Sequence, residues 1–229
     1  MAMPENSPTL SVHQLRKKWL PHKTRLLARK EGHPTHVRFH RACSWLQEAQ
    51  RLDGESDLDQ ILIFQWIAFN ALYGQWDAER REPLPDRDCW QKFLQRLIEL
   101  DASGHIVSLL RENRGLVLAI GENAYLNRYF WQAPCTEKAG STMRKGRKRF
   151  QFLYTQKNWR QVLHEVVDRI YLLRCQLVHG AATCGSRMNR KALKHCTMMM
   201  GKLVPTFLLV WIDHGADEDW SEMCYPPIG

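Results

Sequence analysis

The chain has 229 residues, of which 44% are hydrophobic and 25% are charged, so it can bury a core and wholesale disorder is excluded. Its 33 lysines and arginines outnumber 24 acidic residues, and the net charge of +9 favours an anionic partner, nucleic acid ahead of a membrane surface. No uninterrupted apolar run approaches the roughly 18 residues that span a bilayer, and residues 1–8 carry no secretory signal pattern. The sequence therefore predicts a cytoplasmic protein with no membrane partner.

The cysteines indicate a reduced compartment. There are seven, an odd number, and no Cys-x-x-Cys occurs among them. A cluster near the C-terminal third could suggest zinc, but only one pair in it has helical i,i+4 spacing and the rest match no structural zinc pattern. We therefore expect no metal and no cofactor. The cluster comprises Cys175, His179, Cys184, His195 and Cys196.

The N-terminal segment is basic and has little apolar periodicity. Ser11 is placed to cap a short helix that Pro21 would stop, because proline breaks the helical hydrogen-bond ladder. Residues 21–34 follow as an arm rich in lysine, arginine and histidine. We predict a basic, partly flexible N-terminal arm over residues 1–34.

Apolar periodicity then predicts helices over 35–52, 57–73, 89–100 and 105–112. The second is apolar nearly all round, which implies burial on several sides, and it contains Asn70. Asp86 or Asp88 is placed to cap the third helix. Residues 115–130 predict a broken helix, and its aromatic residues are expected to cover one end of the core. These are Tyr125, Tyr129, Phe130 and the adjoining Trp131.

A loop is predicted over 134–149, because Gly140, Ser141 and Gly146 interrupt it. Two long helices follow, over 158–179 and 189–213, and Pro205 should kink or split the second. An irregular tail is expected over 214–229. No repeat and no alternating strand pattern occurs, so the predicted class is all-α.

Basic residues in the predicted loop, and others after residue 180, are candidates to contact RNA phosphates. The simpler interpretation is an ordinary solvated basic face. The candidates are Arg144, Lys145, Arg147, Lys148, Arg149, Arg187, Arg190 and Lys191.

The helix over 158–179 carries the most informative pair. Its core stripe repeats with 3-4-3-4 spacing from Leu163 to Leu177, and Arg174 lies between that stripe and a second apolar strip. The stem of Arg174 should be covered, so its guanidinium must reach a cleft or a partner. His179 lies five residues later, about 140° further around an ideal helix. The two side chains can converge only if the helix ends or bends there, as Gly180 permits, or if two copies of the chain meet.

The surroundings of His179 favour acid–base chemistry. In the last turn of a helix the dipole favours a protonated ring, whereas the neighbouring Arg174 charge opposes it. These opposed influences would let the ring titrate near neutrality.

The segment 173–180, LRCQLVHG, resembles the Arg-x4-6-His signature of HEPN domains, with the Apea-like branch nearest. The segment 66–74, WIAFNALYG, and the segment 185–190, GSRMNR, also resemble that branch. Together they span residues 35–213 in the family's order, and the Trp-x3-Asn-x2-Tyr helix makes the match more specific than the Arg-x4-His pattern alone.

The resemblance implies a HEPN-like antiparallel helical bundle over 35–213, with additional short helices and the basic loop, that forms a homodimer with the two motifs facing each other. It implies a metal-independent endoribonuclease that cleaves single-stranded RNA through attack of the ribose 2′-hydroxyl on the adjacent phosphate. Arg174 would hold the phosphate and His179 would move the proton, with Asn70 and Cys175 in supporting positions. Cys175 departs from the family, in which that position is often Asn, Asp or His. A role as a toxin or phage-defence effector, with an antitoxin or regulatory partner, is also implied.

Three alternatives stay open. Arg174 could pair with a core carboxylate while His179 only caps the helix. The chain could be a non-catalytic HEPN-type module that binds RNA or a nucleotide, or that docks onto a partner. It could also be a structural helical protein whose charge is incidental, in which case it would have no affinity for RNA.

Overall fold

A computed structural model describes residues 10–29, 32–181, 183–185 and 189–226. In these ranges the chain is all-α, as predicted, with one two-residue β-ribbon and one 3-10 turn at Ala124–Leu126. The helices are α1 (Val12–Arg29), α2 (Pro34–Arg51), α3 (Leu58–Tyr73), α4 (Asp86–Leu100), α5 (His105–Glu112), α6 (Arg114–Glu122), α7 (Thr136–Thr155), α8 (Trp159–Val178) and α9 (Arg190–His214). The ribbon pairs β1 (Trp76–Asp77) with β2 (Glu82–Pro83) in antiparallel register.

Helices with strong apolar periodicity lie where the sequence places them. The bounds of α2, α3, α5 and α8 agree with the predicted ranges to within one or two residues. Helix α4 begins earlier than predicted, at Asp86, and Pro85 at its N-cap offers no side-chain hydrogen bond. The predicted aspartate cap is therefore wrong, and Asp86 instead accepts a hydrogen bond from the Tyr73 hydroxyl at 2.6 Å.

Helix α1 continues through Pro21, so the predicted stop at that residue is wrong. Val12, Leu15, Trp19 and Leu26 are buried along one face of α1, and this burial outweighs the single hydrogen bond that a proline removes. The segment predicted as a flexible arm is thus helical to residue 29 and packs through its apolar face.

Helix α7 occupies the predicted loop at 134–149, which is the largest error of the sequence prediction. Its glycines are packing residues rather than turn residues. A Cβ added to Gly146 would lie 2.2 Å from the carbonyl oxygen of Gly121, and one added to Gly121 would lie 2.3 Å from the Phe150 ring. Glycine at these positions lets the backbones of α6 and α7 approach closely.

Helix α9 includes Pro205 and is not split by it. By length and composition α9 could cross a membrane, although 72% of its apolar window is buried within the protein. Core helices of soluble proteins share this composition, so a soluble protein fits the observation. The tail after α9 is irregular, as predicted, and its only β-bridge within residues 215–226 joins Met223 to Gln75.

The chain divides into two compact units. The first comprises Met1–Glu48, Ile67–Ile106 and Lys202–Gly229. Its core is aromatic, with Trp220 stacked on Trp211 at 4.3 Å between ring centroids. Arg38 is buried there and donates hydrogen bonds to the carbonyl oxygens of Leu72 and Gly74 at the end of α3. It also bonds three tail carbonyls, at residues 220–222, and burial lowers its pKa to about 10.

The first unit also ties α1 to the tail. Arg25 forms an ion pair with Asp217, with 2.8 Å between Nη2 and Oδ2. The indole of Trp19 donates to Nδ1 of His36 at 3.0 Å and so joins α1 to α2. The N-terminal and C-terminal segments of the chain are therefore parts of one packed unit.

The second unit comprises Ala49–Trp66 and Val107–Gly201. Helices α6, α7 and α8 and the 3-10 turn contact one another in it. Val162, Val166 and Ile170 of α8 are fully buried, and the Tyr154 hydroxyl donates to the carbonyl of Leu110 at 2.7 Å. The predicted domain over 35–213 is distributed between both units.

Candidate functional site

Helix α8 ends in a left-handed glycine turn. The amide of Gly180 donates to the carbonyl of Leu177 at 3.1 Å, and the amide of Ala181 donates to the carbonyl of Gln176 at 2.8 Å. Gly180 has φ of +67°, and this pair of bonds defines a Schellman C-cap with His179 at the cap. The predicted helix end at Gly180 is confirmed.

The turn comes too late to bring Arg174 and His179 together. The amide of His179 still donates to the carbonyl of Cys175 at 3.0 Å, the i−4 bond of a regular helix. The Cα of His179 therefore keeps its helical position, and the direction of its Cβ follows from that position. The two side chains leave α8 about 140° apart, and the chain reverses only after both.

Arg174 is half-buried, and within the described ranges its guanidinium has no hydrogen bond and no ion pair. Arg169, one and a half turns earlier on α8, contrasts with it. Arg169 is 9% exposed, donates to the carbonyl of Asn123 at 3.3 Å and lies 5.6 Å above the Phe150 ring. Burial also lowers the pKa of Arg169. One arginine of α8 is thus used in packing and the other is held without a partner.

The last turn of α8 presents a mixed surface. His179 is exposed, and Val178 is 54% exposed although it is apolar. Cys175 is half-buried with a free thiol. Asn70, the predicted brace, is half-buried on the α3 segment that belongs to the first unit. Its Oδ1 lies 3.0 Å from the position a Cβ would take on Gly74.

The predicted basic residues of α7 fall into two groups. Arg147 lies 3.5 Å from Glu122 and Arg149 lies 2.9 Å from Glu165, measured from Nε to Oε1 in each pair. The other members are exposed and form no ion pair with any residue that the structure describes. They occupy one face of the helix at i, i+1 and i+4, and we call them the free basic face: Arg144, Lys145 and Lys148.

The basic residues after residue 180 contribute less free charge. Arg190 pairs with Asp59 and also donates to the carbonyl of Ser56 at 3.0 Å, so it fastens α9 to the start of α3. Lys191 is exposed, and Arg187 lies outside the described residues.

Three aromatic residues that were expected to cover the core are exposed instead. Tyr125, Tyr129 and Trp131 are 44%, 57% and 45% exposed, whereas Phe130 is buried as expected. The amide of Gln176 donates to the carbonyl of Tyr125 at 2.9 Å, which places this loop beside the last turn of α8. The Arg128–Tyr129 pair flanked by Asn123 and Asn127 is the signal in the sequence, since asparagines favour exposed turns.

No group of three His, Cys, Asp or Glu side chains in the described ranges is arranged to hold a metal ion. A cleft of about 390 Å³ in the first unit is lined by α1, the start of α2 and the tail, and none of the predicted site residues borders it. Comparisons with protein families, with curated proteins and with solved structures gave no match for this chain.

Proposed function

We propose that this protein is a HEPN-type endoribonuclease that cleaves single-stranded RNA without a metal, using Arg174 and His179 contributed by two copies of the chain. The observation that carries the proposal is the half-buried guanidinium of Arg174, which has no partner among the described residues. Stabilising a charge in such a position without a partner is expensive. An anionic ligand such as a phosphate would supply the missing partner, and an arginine can bind it with two parallel hydrogen bonds.

The divergence of Arg174 and His179 on α8 supports the two-copy arrangement. Because the two side chains point about 140° apart, one phosphate cannot touch both within a single chain. A two-fold axis near the end of α8 would bring Arg174 of one copy towards His179 of the other. The exposed Val178 supplies an apolar contact on the same turn.

The chemistry needs only these groups. The 2′-oxygen of the ribose attacks the adjacent phosphorus and the bond from phosphorus to the 5′-oxygen breaks, which leaves a cyclic phosphate and a 5′-hydroxyl. His179 accepts the proton of the 2′-hydroxyl, and an imidazole returns a proton to the leaving 5′-oxygen. Arg174 stabilises the charge that develops on the phosphate oxygens. A cytoplasmic toxin or defence effector would fit such an activity.

The test is cleavage of single-stranded RNA by the full chain in the presence of EDTA. His179→Ala and Arg174→Met should each abolish cleavage. Arg160→Met is the matched control, because Arg160 is an exposed arginine on the first turn of the same helix. Equal cleavage by the wild type and His179→Ala, or no cleavage by the wild type, would remove the catalytic assignment.

Complementation tests the two-copy site. A dimer that combines one Arg174→Met chain with one His179→Ala chain has one site with both substitutions and one intact site. Co-expression of the two variants should restore about a quarter of wild-type activity, because half of the dimers are mixed and each keeps one of two sites. If no activity returns, both groups act within one chain and the arrangement is wrong.

The same divergence favours a second candidate, a non-catalytic module that binds RNA through Arg174. It requires only that the chain stays monomeric, since an isolated chain cannot bring both groups to one phosphate. Sedimentation velocity at working concentration distinguishes the two candidates. A monomer that binds RNA and leaves it intact would establish the second.

A further inference from the structure

The loop at 123–131 carries a surface that the proposed chemistry does not use. Three of its aromatic side chains are exposed: Tyr125, Tyr129 and Trp131. The Tyr125 and Trp131 rings lie 6.1 Å apart with an interplanar angle of 47°. The guanidinium of Arg128 lies 5.0 Å above the Tyr129 ring and donates to its hydroxyl at 3.2 Å. Exposed aromatic residues grouped in this way indicate a binding surface.

Hydrogen bonds hold the loop in one conformation. The side chains of Asn123 and Asn127 accept from the amides of Tyr125 and Tyr129, at 3.0 Å and 2.9 Å. The indole of Trp131 donates to the carbonyl of Tyr125 at 3.0 Å. The rings are therefore positioned before any ligand arrives, which reduces the entropy lost on binding.

Helix α8 fixes where this loop lies. The carbonyl of Asn123 accepts from Arg169, and that of Tyr125 accepts from Gln176. Gln176 is two residues from Arg174, so the aromatic surface and the proposed phosphate site are attached to the same helical turn. Helix α7, which carries the free basic face, also contacts the 3-10 turn of the loop.

Flat apolar rings beside an excess of free cations complement one class of ligand. A single-stranded nucleic acid offers both a base with two exposed π-faces and a phosphate at every step. Duplex RNA hides its bases, so it would use the cations but not the rings. The combination of ring and charge therefore favours an unpaired segment of RNA.

We infer that Tyr125, Tyr129 and Trp131 form a stacking surface for the unpaired bases that flank the phosphate bound by Arg174. The location beside the reacting phosphate rests on the proposed function, whereas base stacking itself does not require cleavage. The free basic face of α7 contacts the backbone of the same strand. The loop thereby selects unpaired RNA and positions the phosphate for attack.

Binding affinity tests the inference in the full chain with His179→Ala, which prevents cleavage. A fluorescent single-stranded RNA of about a dozen nucleotides is titrated against variants that add Tyr129→Ala or Trp131→Ala. Each addition should weaken binding between about fivefold and a hundredfold, the range for loss of one base–aromatic stack. Tyr225→Ala is the matched control, because Tyr225 is 67% exposed but belongs to the first unit.

Two further measurements separate stacking from simple attraction to phosphate. The aromatic variants should leave the salt dependence of binding unchanged, whereas replacing the three cations of the free basic face should reduce it by about 0.7 per lost contact. An RNA that carries abasic positions keeps its phosphates but loses its bases. It should bind the chain with intact aromatics as weakly as ordinary RNA binds the Trp131→Ala variant.

The inference is overturned if both aromatic variants bind as tightly as the Tyr225→Ala control, or if abasic RNA binds as well as ordinary RNA. It is also overturned if the variants change only self-association, which would make the loop a protein interface. The two proposals fail separately. Stacking without cleavage by the wild type refutes the ribonuclease alone, and cleavage with unaltered affinity in the aromatic variants refutes the stacking surface alone.

Discussion

The two arginines of α8 should respond in opposite ways to the same substitution. Methionine is close in length and apolar character to the stem of arginine, so it removes the guanidinium while filling much of the space. Arg169→Met should destabilise the fold with no direct effect on catalysis. Arg174→Met should leave stability almost unchanged and should abolish RNA cleavage.

The magnitudes follow from the contacts of each residue. Arg169→Met leaves the carbonyl of Asn123 without its side-chain partner and ends the contact with the Phe150 ring. A hydrogen bond from a charged donor contributes about 1.5–3 kcal/mol and a cation–π contact about 0.5–2 kcal/mol, so the expected loss is about 3 kcal/mol. Arg174 has no such contact among the described residues, so its change should stay within about 0.5 kcal/mol.

Urea denaturation followed by circular dichroism measures both losses, and thermal unfolding should show a fall of about 6–12 °C for Arg169→Met alone. Loss of a transition-state contact to phosphate should reduce cleavage by Arg174→Met at least about a hundredfold. A loss of several kcal/mol from Arg174→Met would identify a packing residue and refute the functional assignment. Wild-type cleavage by a folded Arg174→Met variant would refute it as well.

Three further changes test the fold. Gly146→Ala should lower the free energy of unfolding by about 1–3 kcal/mol, because its Cβ would meet the Gly121 carbonyl at 2.2 Å. Pro21→Ala should raise it by about 1–3 kcal/mol, since it restores a backbone donor inside α1. Burial lowers the pKa of His36, so the unfolded chain binds its proton more readily and stability should be lost as pH falls below 6.5. Protonation would also remove the acceptor that Trp19 uses. Urea denaturation measures all three effects, at pH 7.5 and 5.5 for His36.

Each of these changes has a control. A Cβ on Gly115, in α6, meets no atom within 4 Å, so Gly115→Ala should not destabilise the protein. If Gly146→Ala is equally harmless, α6 and α7 do not approach as closely as the structure has them. His36→Gln should flatten the loss of stability towards low pH, and His13→Gln, an exposed site on α1, should not. A lower stability of Pro21→Ala would show that the proline ring contributes packing that outweighs the restored bond.

Patterns of apolar residues allow the central helices to be predicted, because periodic burial is recorded along each helix itself. The stripe on α8 and the stop at Gly180 both come from neighbouring residues, and both are found in the structure. Helix α7 could not be predicted in this way. Its Gly146 has the appearance of a turn residue, and only the nearness of Gly121, a residue of another helix, shows that it is a packing residue.

The sequence by itself determined the all-α class, the helix that ends at Gly180 and the pair formed by Arg174 and His179. Only the tertiary structure decided which charges are free. Arg190 is bound by Asp59, which lies 131 positions away, whereas Arg174 meets no partner in the part of the chain that the structure describes. The physical reason is that local backbone preference depends on near neighbours, while the energy of a charge depends on groups that folding brings to it from any distance along the chain.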